Sequence, residues 1–342
     1  MAAFDRLKSV LQGPPRKWLV TGAGGFIGSH LVEALLTLGQ EVAGMDNFST
    51  GHRENLAEVR AAVGNAWERF TFFESDICDL GACRAAARAA NIVLHQAALG
   101  SVPRSIADPL ATHNANVTGF LNVLEAAREA KVSRFVFASS SAVYGDLPEL
   151  PKVEERIGNP LSPYAASKAM DETYAAVFST VYGLETIGLR YFNVFGPRQD
   201  PEGPYAAVIP KWIEALASAR PVQINGDGET SRDFCYVQNV VEANLLAATV
   251  SSPEAVNQVY NIGVGDRTTL NDLYAILWRL MCPAGDAPAP TYSEFRAGDV
   301  RHSLADITKA RKHLGYDPAW RLEEGLKRAI EHYRSKPRGL TV

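Results

Sequence analysis

Apolar residues follow two alternating rhythms along this chain. Lys17-Trp18-Leu19-Val20-Thr21 is an apolar run of strand length, and it enters Gly22-Ala23-Gly24-Gly25-Phe26-Ile27-Gly28. Helical periodicity then runs through Leu31, Leu35 and Leu38 to Gly39, a residue suited to close a helix. Residues 41–46 read as a second strand, 70–74 as a third and 91–95 as a fourth. A helix over about 109–130 leads into a fifth strand that ends in Ser139-Ser140-Ser141. Strands alternating with helices in this way predict an α/β fold, a Rossmann-type, doubly wound parallel sheet.

The flanks of this pattern differ from it. Residues 1–16 read as a short leading helix that stops at Gly13-Pro14-Pro15. After Gly196-Pro197 the strict alternation breaks, as expected where a substrate domain begins. Asn225-Gly226-Asp227-Gly228 reads as a turn, and a helix near 238–250 and a strand near 258–262 are expected to return to the first domain. The expected division is a dinucleotide-binding domain over 17–196, with a return segment about 236–263. A smaller C-terminal α/β substrate domain takes 197–235 and 264–342.

Composition narrows the function classes. The 342 residues are 46% hydrophobic and 21% charged, ordinary for a globular protein. Lys and Arg total 34 against 38 Asp and Glu, a net charge of −4 with no basic block, which argues against nucleic acid as a partner. Asp5, Arg6 and Lys8 stand where a signal peptide needs an apolar core, and no stretch approaches a membrane span, so a cytoplasmic location is expected. Cys78, Cys83, Cys235 and Cys282 form no CxxC pair and no metal spacing, and free thiols with no metal site are the expectation.

Chemistry enters at the ends of the strands. Gly22, Gly25 and Gly28 follow GxxGxxG spacing between a strand and a helix. Small residues let the backbone approach a pyrophosphate at the helix N-terminus, where unpaired N–H groups and the dipole favour anions. Asp46 ends the second strand 18 residues after Gly28, where a carboxylate can bind the adenosine ribose hydroxyls. A carboxylate there repels a 2′-phosphate, so NAD is expected over NADP. Asp76 and Ile77 after the third strand suit the adenine edge. The fourth strand ends in Gln96-Ala97-Ala98-Leu99-Gly100, where the small residues let a ligand lie close to the backbone. The plain reading of His95 is a hydrogen-bonded core histidine.

Tyr164 and Lys168 are four apart, one turn apart on one helix face. An ammonium close to a phenol favours the phenolate, so such a tyrosine can take a proton from a sugar hydroxyl near neutral pH. Ser140 or Ser141, at the ligand-facing end of the fifth strand, supplies a hydroxyl able to relay that proton.

Together, GxxGxxG at 22–28, the strand-end serines and Tyr164-x-x-x-Lys168 resemble the extended short-chain dehydrogenase/reductase family over nearly the whole chain. Asp46-Asn47-Phe48-Ser49-Thr50-Gly51, His95-Gln96-Ala97-Ala98, Ser141-Ala142-Val143-Tyr144-Gly145 and Arg190-Tyr191-Phe192-Asn193-Val194-Phe195-Gly196-Pro197 look like its nucleotide-sugar epimerases. Ala98-Leu99-Gly100-Ser101-Val102-Pro103-Arg104-Ser105, Gln199-Asp200-Pro201 and Tyr205-Ala206-Ala207-Val208-Ile209-Pro210-Lys211-Trp212 are similar to bacterial UDP-N-acetylglucosamine 4-epimerases. Some of those enzymes prefer N-acetylated sugars or their uronic acids and serve O-antigen synthesis.

The resemblance implies a tightly bound NAD that is not consumed. Its site would comprise Gly22, Gly25, Phe26, Ile27, Gly28, Asp46, Asn47, Ser49, Thr50 and Gly51, with Asp76, Ile77, Gln96, Ala97, Ala98, Ser139, Tyr164, Lys168, Tyr191 and Val194. It implies a UDP-sugar held by Gly100, Ser101, Ser141, Tyr164, Asn193, Ala207, Val208, Asn225, Arg232, Arg296, Asp299 and Ser303. Arg232 and Arg296 would meet the diphosphate, where a guanidinium matches phosphate oxygens in a fork. Asp299 would bind a ribose, and Ser303 would bound the sugar pocket. Related galactose-type epimerases that exclude N-acetylated sugars carry a bulky tyrosine at this gate; serine leaves room for an acetamido group. The resemblance also implies a homodimer through helices near 109–130 and 164–181.

The expected reaction is C4 epimerisation of UDP-GlcNAc to UDP-GalNAc, or of the corresponding uronic acids, through a transient 4-keto sugar; UDP-glucose or UDP-glucuronate is the alternative. Nucleotide-sugar 4,6-dehydratases and uronate decarboxylases resemble the chain but want acids where Ser141 and Ala142 stand. A non-catalytic NAD sensor on this fold commonly loses the tyrosine or lysine, and both are present here.

Overall fold

The computed structural model describes residues 7–8, 10–11, 13–201, 206–282, 289–295 and 300–335. Of the leading helix, Leu7 and Leu11 are buried and joined by a Leu11 N–H to Leu7 carbonyl bond; residues 1–6, 9 and 12 lie outside the described residues. Seven strands form one parallel sheet: β1 (Lys17–Thr21), β2 (Glu41–Asp46), β3 (Phe70–Glu74), β4 (Ile92–His95), β5 (Arg134–Ser140), β6 (Thr186–Tyr191) and the late strand Gln258–Ile262. Their spatial order is β3-β2-β1-β4-β5-β6 followed by Gln258–Ile262, which pairs with β6 from Gln258 opposite Ile187 to Ile262 opposite Tyr191. The Rossmann-type sheet read from the alternating pattern is thus present.

Strand residues of this sheet are apolar in unbroken runs because both faces are covered. Successive side chains point to opposite faces, so Trp18, Val20, Ile92, Leu94 and Val136 join one core. Leu19, Val93, Phe135 and Phe137 join the other. The first core is closed by the helices Phe26–Thr37 and Val237–Thr249, and the second by Leu80–Ala87, Gly119–Glu129 and Pro163–Tyr182. A third cluster packs Trp212, Ile213, Leu273, Leu277, Leu326 and Ile330 from three further helices around a short strand that contains Ile224. Among the described residues no helix is long and apolar enough to cross a membrane.

Two elements differ from the sequence reading. The helix expected over 109–130 runs from Pro109 to Glu129 and differs in carrying a π-helical turn at Asn114–Thr118. Asn116 in that turn turns its side chain away from the helix: Oδ1 accepts the Leu99 N–H at 2.7 Å, and Nδ2 donates to the Leu99 carbonyl and to Ser167 Oγ. The fifth strand ends at Ser140, whose Oγ accepts the Ala142 N–H at 3.1 Å and starts the 3-10 turn Ser141–Tyr144. Ser141 therefore belongs to the turn.

His95 is a core histidine. It is 1% exposed, shares a 2.8 Å hydrogen bond between Nδ1 and Thr21 Oγ1, and packs against Phe120 and Phe135. Burial, with help from the nearby Lys168 charge, pushes its pKa down to about 3. The unfolded chain then binds a proton that the folded one refuses, so His95 costs stability as pH falls from about 6.5 towards 3. The thermal midpoint of His95→Gln, measured by calorimetry at pH 7 and pH 5, should fall less across that interval than the wild-type midpoint.

Candidate active site

The turn from β1 into the helix Phe26–Thr37 is built for close backbone approach. Gly22 has φ +69°, and a Cβ on Gly28 would lie 1.9 Å from the Gly22 carbonyl oxygen. Gly25 caps the helix without a side chain and no acid occupies the first turn, so the N–H groups at Phe26 and Ile27 meet no side-chain acceptor. An anion is the natural partner of such a terminus.

Asp46 organises the neighbouring loop. It is 8% exposed, and its Oδ2 accepts the Gly24 N–H at 2.9 Å while Oδ1 accepts the Phe48 N–H at 2.7 Å. Burial raises its carboxyl pKa and these bonds oppose the rise. The His52 N–H donates to the Gly24 carbonyl, so Asn47, Ser49, Thr50 and Gly51 lie along the glycine turn, with Ser49 and Thr50 exposed. Asn47 donates to Asp76 Oδ2 at 2.8 Å, which joins the ends of β2 and β3; Ile77 beside it is buried. The residues read as an adenosine site are thus brought together. These glycines and uncapped N–H groups suit a dinucleotide.

At the ends of β1 and β4 the chain leaves in opposite directions, and Gln96 and Ala97 donate their N–H groups to Thr21. The Gln96 side chain accepts from Tyr191 Oη at 3.0 Å and donates to Asn244 at 3.1 Å, and Asn244 donates to Tyr191 Oη at 2.8 Å. Gln96 and Tyr191 thus spend their side chains on the floor beneath Ala97 and Ala98. Val194 is half-buried in the short strand Val194–Phe195.

Ser162 caps the helix Pro163–Tyr182: its Oγ accepts the Ala165 N–H at 3.1 Å, and Pro163 takes the first helical position, where no N–H is required. Tyr164 is half-buried near its start, and Lys168 one turn on is 2% exposed. The Lys168 ammonium donates to Asp171 Oδ2 at 3.1 Å. Asp171 is completely buried, and burial, opposed by Lys168, raises its carboxyl pKa to about 7. The turn Ser141–Tyr144 packs on this helix. Ser139 donates to Glu172 at 2.5 Å, and Glu172 forms a buried ion pair with Arg190 at 2.8 Å. The Ser139 hydroxyl is therefore committed to the frame, whereas Ser140 and Ser141 stand closer to the strand's open end.

The residues read as substrate contacts lie on several loops and short strands. Gly100 is exposed, and Ser101 (φ +103°) caps the helix Val102–Ala107 by accepting the Arg104 N–H. Asn193 (φ +26°) gives its carbonyl to the Cys235 N–H. Such backbone costs energy and is kept where the fold over-determines it. Ala207 is exposed just ahead of Val208, the first residue of an uncapped helix. Asn225 accepts from Ser293 Oγ at 2.9 Å. Arg232 donates to the carbonyls of Ser231 and Arg301, and the buried Ser303 donates its N–H to the Ser231 carbonyl, so Arg232 and Ser303 stand on adjacent chains. Arg296 and Asp299 lie outside the described residues.

Asn116, Asp171 and Glu172 were missed. An asparagine inside a helical stretch, a poor helix former with side-chain bonds to place, was a signal for the first. Nothing in the spacing singles out Asp171 or Glu172, the acids one turn past Lys168, or marks Asp171 as buried. Gly28→Val should displace the Gly22 carbonyl and abolish dinucleotide retention; the check is the amount of nucleotide released from the purified, denatured variant.

The pattern of the NAD dependent epimerase/dehydratase family matches residues 18–263. A UDP-glucose 4-epimerase of Mycolicibacterium smegmatis is 39% identical over 93% of this chain and 98% of its own. A solved UDP-N-acetylglucosamine 4-epimerase from Methanobrevibacter ruminantium, in complex with UDP-N-acetylmuramic acid, is 38% identical with a TM-score of 0.86, over 94% of this chain and 99% of that one. A UDP-glucuronic acid 4-epimerase from Bacillus cereus, in complex with UDP-glucuronic acid and NAD, is 30% identical with a TM-score of 0.84, over 93% and 99%. The chain belongs to the NAD-dependent epimerase/dehydratase family, and its cofactor is NAD.

Proposed function

We propose that this protein is a UDP-sugar 4-epimerase acting on UDP-N-acetylglucosamine and UDP-N-acetylgalactosamine or their uronic acids. The observation that carries the reaction is the buried Lys168 one turn from the half-buried Tyr164, on a helix against which the turn that follows the β5 serines packs. The full-length likeness to epimerases of glucose, glucuronate and N-acetylglucosamine nucleotides supports the reaction class. What favours an N-acetylated sugar is Ser303, a small residue hydrogen-bonded through its backbone to the strand of Arg232, at the position where the galactose-type epimerases that the chain resembles carry a tyrosine.

Gly22, Gly25, Phe26, Ile27 and Gly28 would hold the pyrophosphate of NAD, and Asp46 the adenosine ribose. NAD bound there would supply reversible hydride transfer at C4 and so would not be consumed. Tyr164 takes the C4 hydroxyl proton, with Ser140 or Ser141 bridging, and the sugar becomes a 4-ketone. Lys168 favours the ionised phenol by its charge. Arg232, joined by Arg296, anchors the diphosphate while the ketone turns and presents its other face. Tyr164 then returns the proton to the C4 oxygen. Ser141 and Ala142 offer no acid for expelling water, which disfavours a dehydratase.

This reading divides the chain into the NAD-binding unit over 17–196 with its return segment about 236–263, and a UDP-sugar unit of the remainder. It also takes the protein to be a cytoplasmic homodimer. Met170, Tyr174, Val177 and Val181 expose an apolar stripe at helical spacing, and Leu110, 81% exposed, stands on a neighbouring helix that packs against the first. A second copy would cover that stripe.

Offered UDP-GlcNAc, its uronic acid and UDP-glucose side by side, the enzyme should turn over the first two with higher kcat/KM. Turnover of UDP-glucose alone would overturn the reading of Ser303. Ser303→Tyr should lower kcat/KM for the N-acetylated substrates by roughly tenfold or more relative to UDP-glucose. Tyr164→Phe should lose about 10²–10⁴-fold in kcat; near-wild-type turnover would sink the assignment. Val181→Asp should shift the mass measured by light scattering from dimer towards monomer.

A further inference from the structure

Asp171 pairs with Lys168 and is a group that the mechanism does not use. It stands three residues past Lys168 on the same helix and is completely buried. Its Oδ2 takes the ammonium at 3.1 Å, while its Oδ1 has no hydrogen-bond partner among the described residues. A carboxylate buried with half its acceptors unused is costly unless it compensates another charge. The charge it meets is the Lys168 ammonium, one helical turn from Tyr164.

The surroundings leave that role to Asp171. Glu172, the next residue on the helix, is committed to Arg190 of β6 and to Ser139 of β5. His95 of β4 is held neutral by burial, and the Lys168 charge adds to this; its Nε2 has no partner among the described residues. An ammonium has three N–H donors, and Asp171 takes one. The other two are left to serve the cofactor and Tyr164.

We propose that Asp171 is a positioning residue acting through Lys168: it fixes the ammonium against the sheet and offsets its charge, and so sets the pH at which Tyr164 ionises. The proposal rests on Tyr164 being the base. With Asp171 ionised, the pair is neutral and its pull on the phenol is weak. With Asp171 neutral, the ammonium acts alone and the phenol ionises at lower pH. Burial places the Asp171 titration at about 7, so this change falls in the working range.

The test is Asp171→Asn, which keeps shape and removes charge. The Tyr164 phenol is titrated by ultraviolet difference absorbance in NAD-free protein, subtracting the matching Tyr164→Phe protein in each background. The midpoint should fall by about half a pH unit or more, and the acid limb of kcat/KM should move the same way. In a Lys168→Met background the same substitution should leave the midpoint where it is. An unmoved or raised midpoint in the folded Asn variant, or an equal shift without Lys168, overturns the proposal. If the Asn variant does not fold, Asp171→Ser also removes the charge and takes less room; its midpoint must fall as well, and an unmoved one overturns the proposal. Failure of the epimerase reading looks different: Tyr164→Phe would then stay active, whatever Asp171 does.

Discussion

β1 and β4 lie side by side, yet the chain leaves them towards opposite sides of the sheet. That reversal is forced by right-handed crossovers in a parallel sheet, and it opens a crevice at the strands' carboxyl ends. The glycine turn follows β1, Ala97 and Ala98 follow β4, and the Tyr164 helix comes after β5. The Thr21–His95 bond sits at the base of the crevice and ties the two diverging strands together.

The site is stiffened by polar groups withdrawn from water. Arg190, Glu172, Ser139, Tyr144 and Asn261 form one buried hydrogen-bonded chain from β5 and β6 to the late edge strand. Gln96, Tyr191 and Asn244 form another under the crevice. Asn116 links the loop after β4 to the Tyr164 helix through Ser167. Buried networks of this kind are favourable only when satisfied, and here they fix the backbone on which Tyr164 and Lys168 stand. The Lys168–Asp171 pair is the exception, because one carboxylate oxygen remains without a partner among the described residues.

Residues read as a single class in the sequence separate by role in the structure. Of the strand-end serines, Ser139 braces Glu172, Ser140 starts a turn and Ser141 lies within it. Of the candidate cofactor contacts, Gln96 and Tyr191 turn out to hold each other, while Asp46 ties its loop to the glycine turn through the Gly24 N–H. Motif position alone does not distinguish a group that touches a ligand from one that holds its neighbour.

The sequence by itself determined the order of strands and helices, the glycine turn with its distant Asp46, and the one-turn spacing of Tyr164 and Lys168. These are local properties: periodicity, a missing Cβ and the helical repeat act within a few residues of the chain. Tertiary structure alone decided that Gln258–Ile262 closes the sheet beside β6, that Asn116 turns its side chain to hold Leu99, and that Ser303 lies against the strand of Arg232. It also decided that an unremarkable acid, Asp171, is sealed against Lys168. Burial and hydrogen-bond partnership depend on segments far apart in the chain, and only packing brings those together.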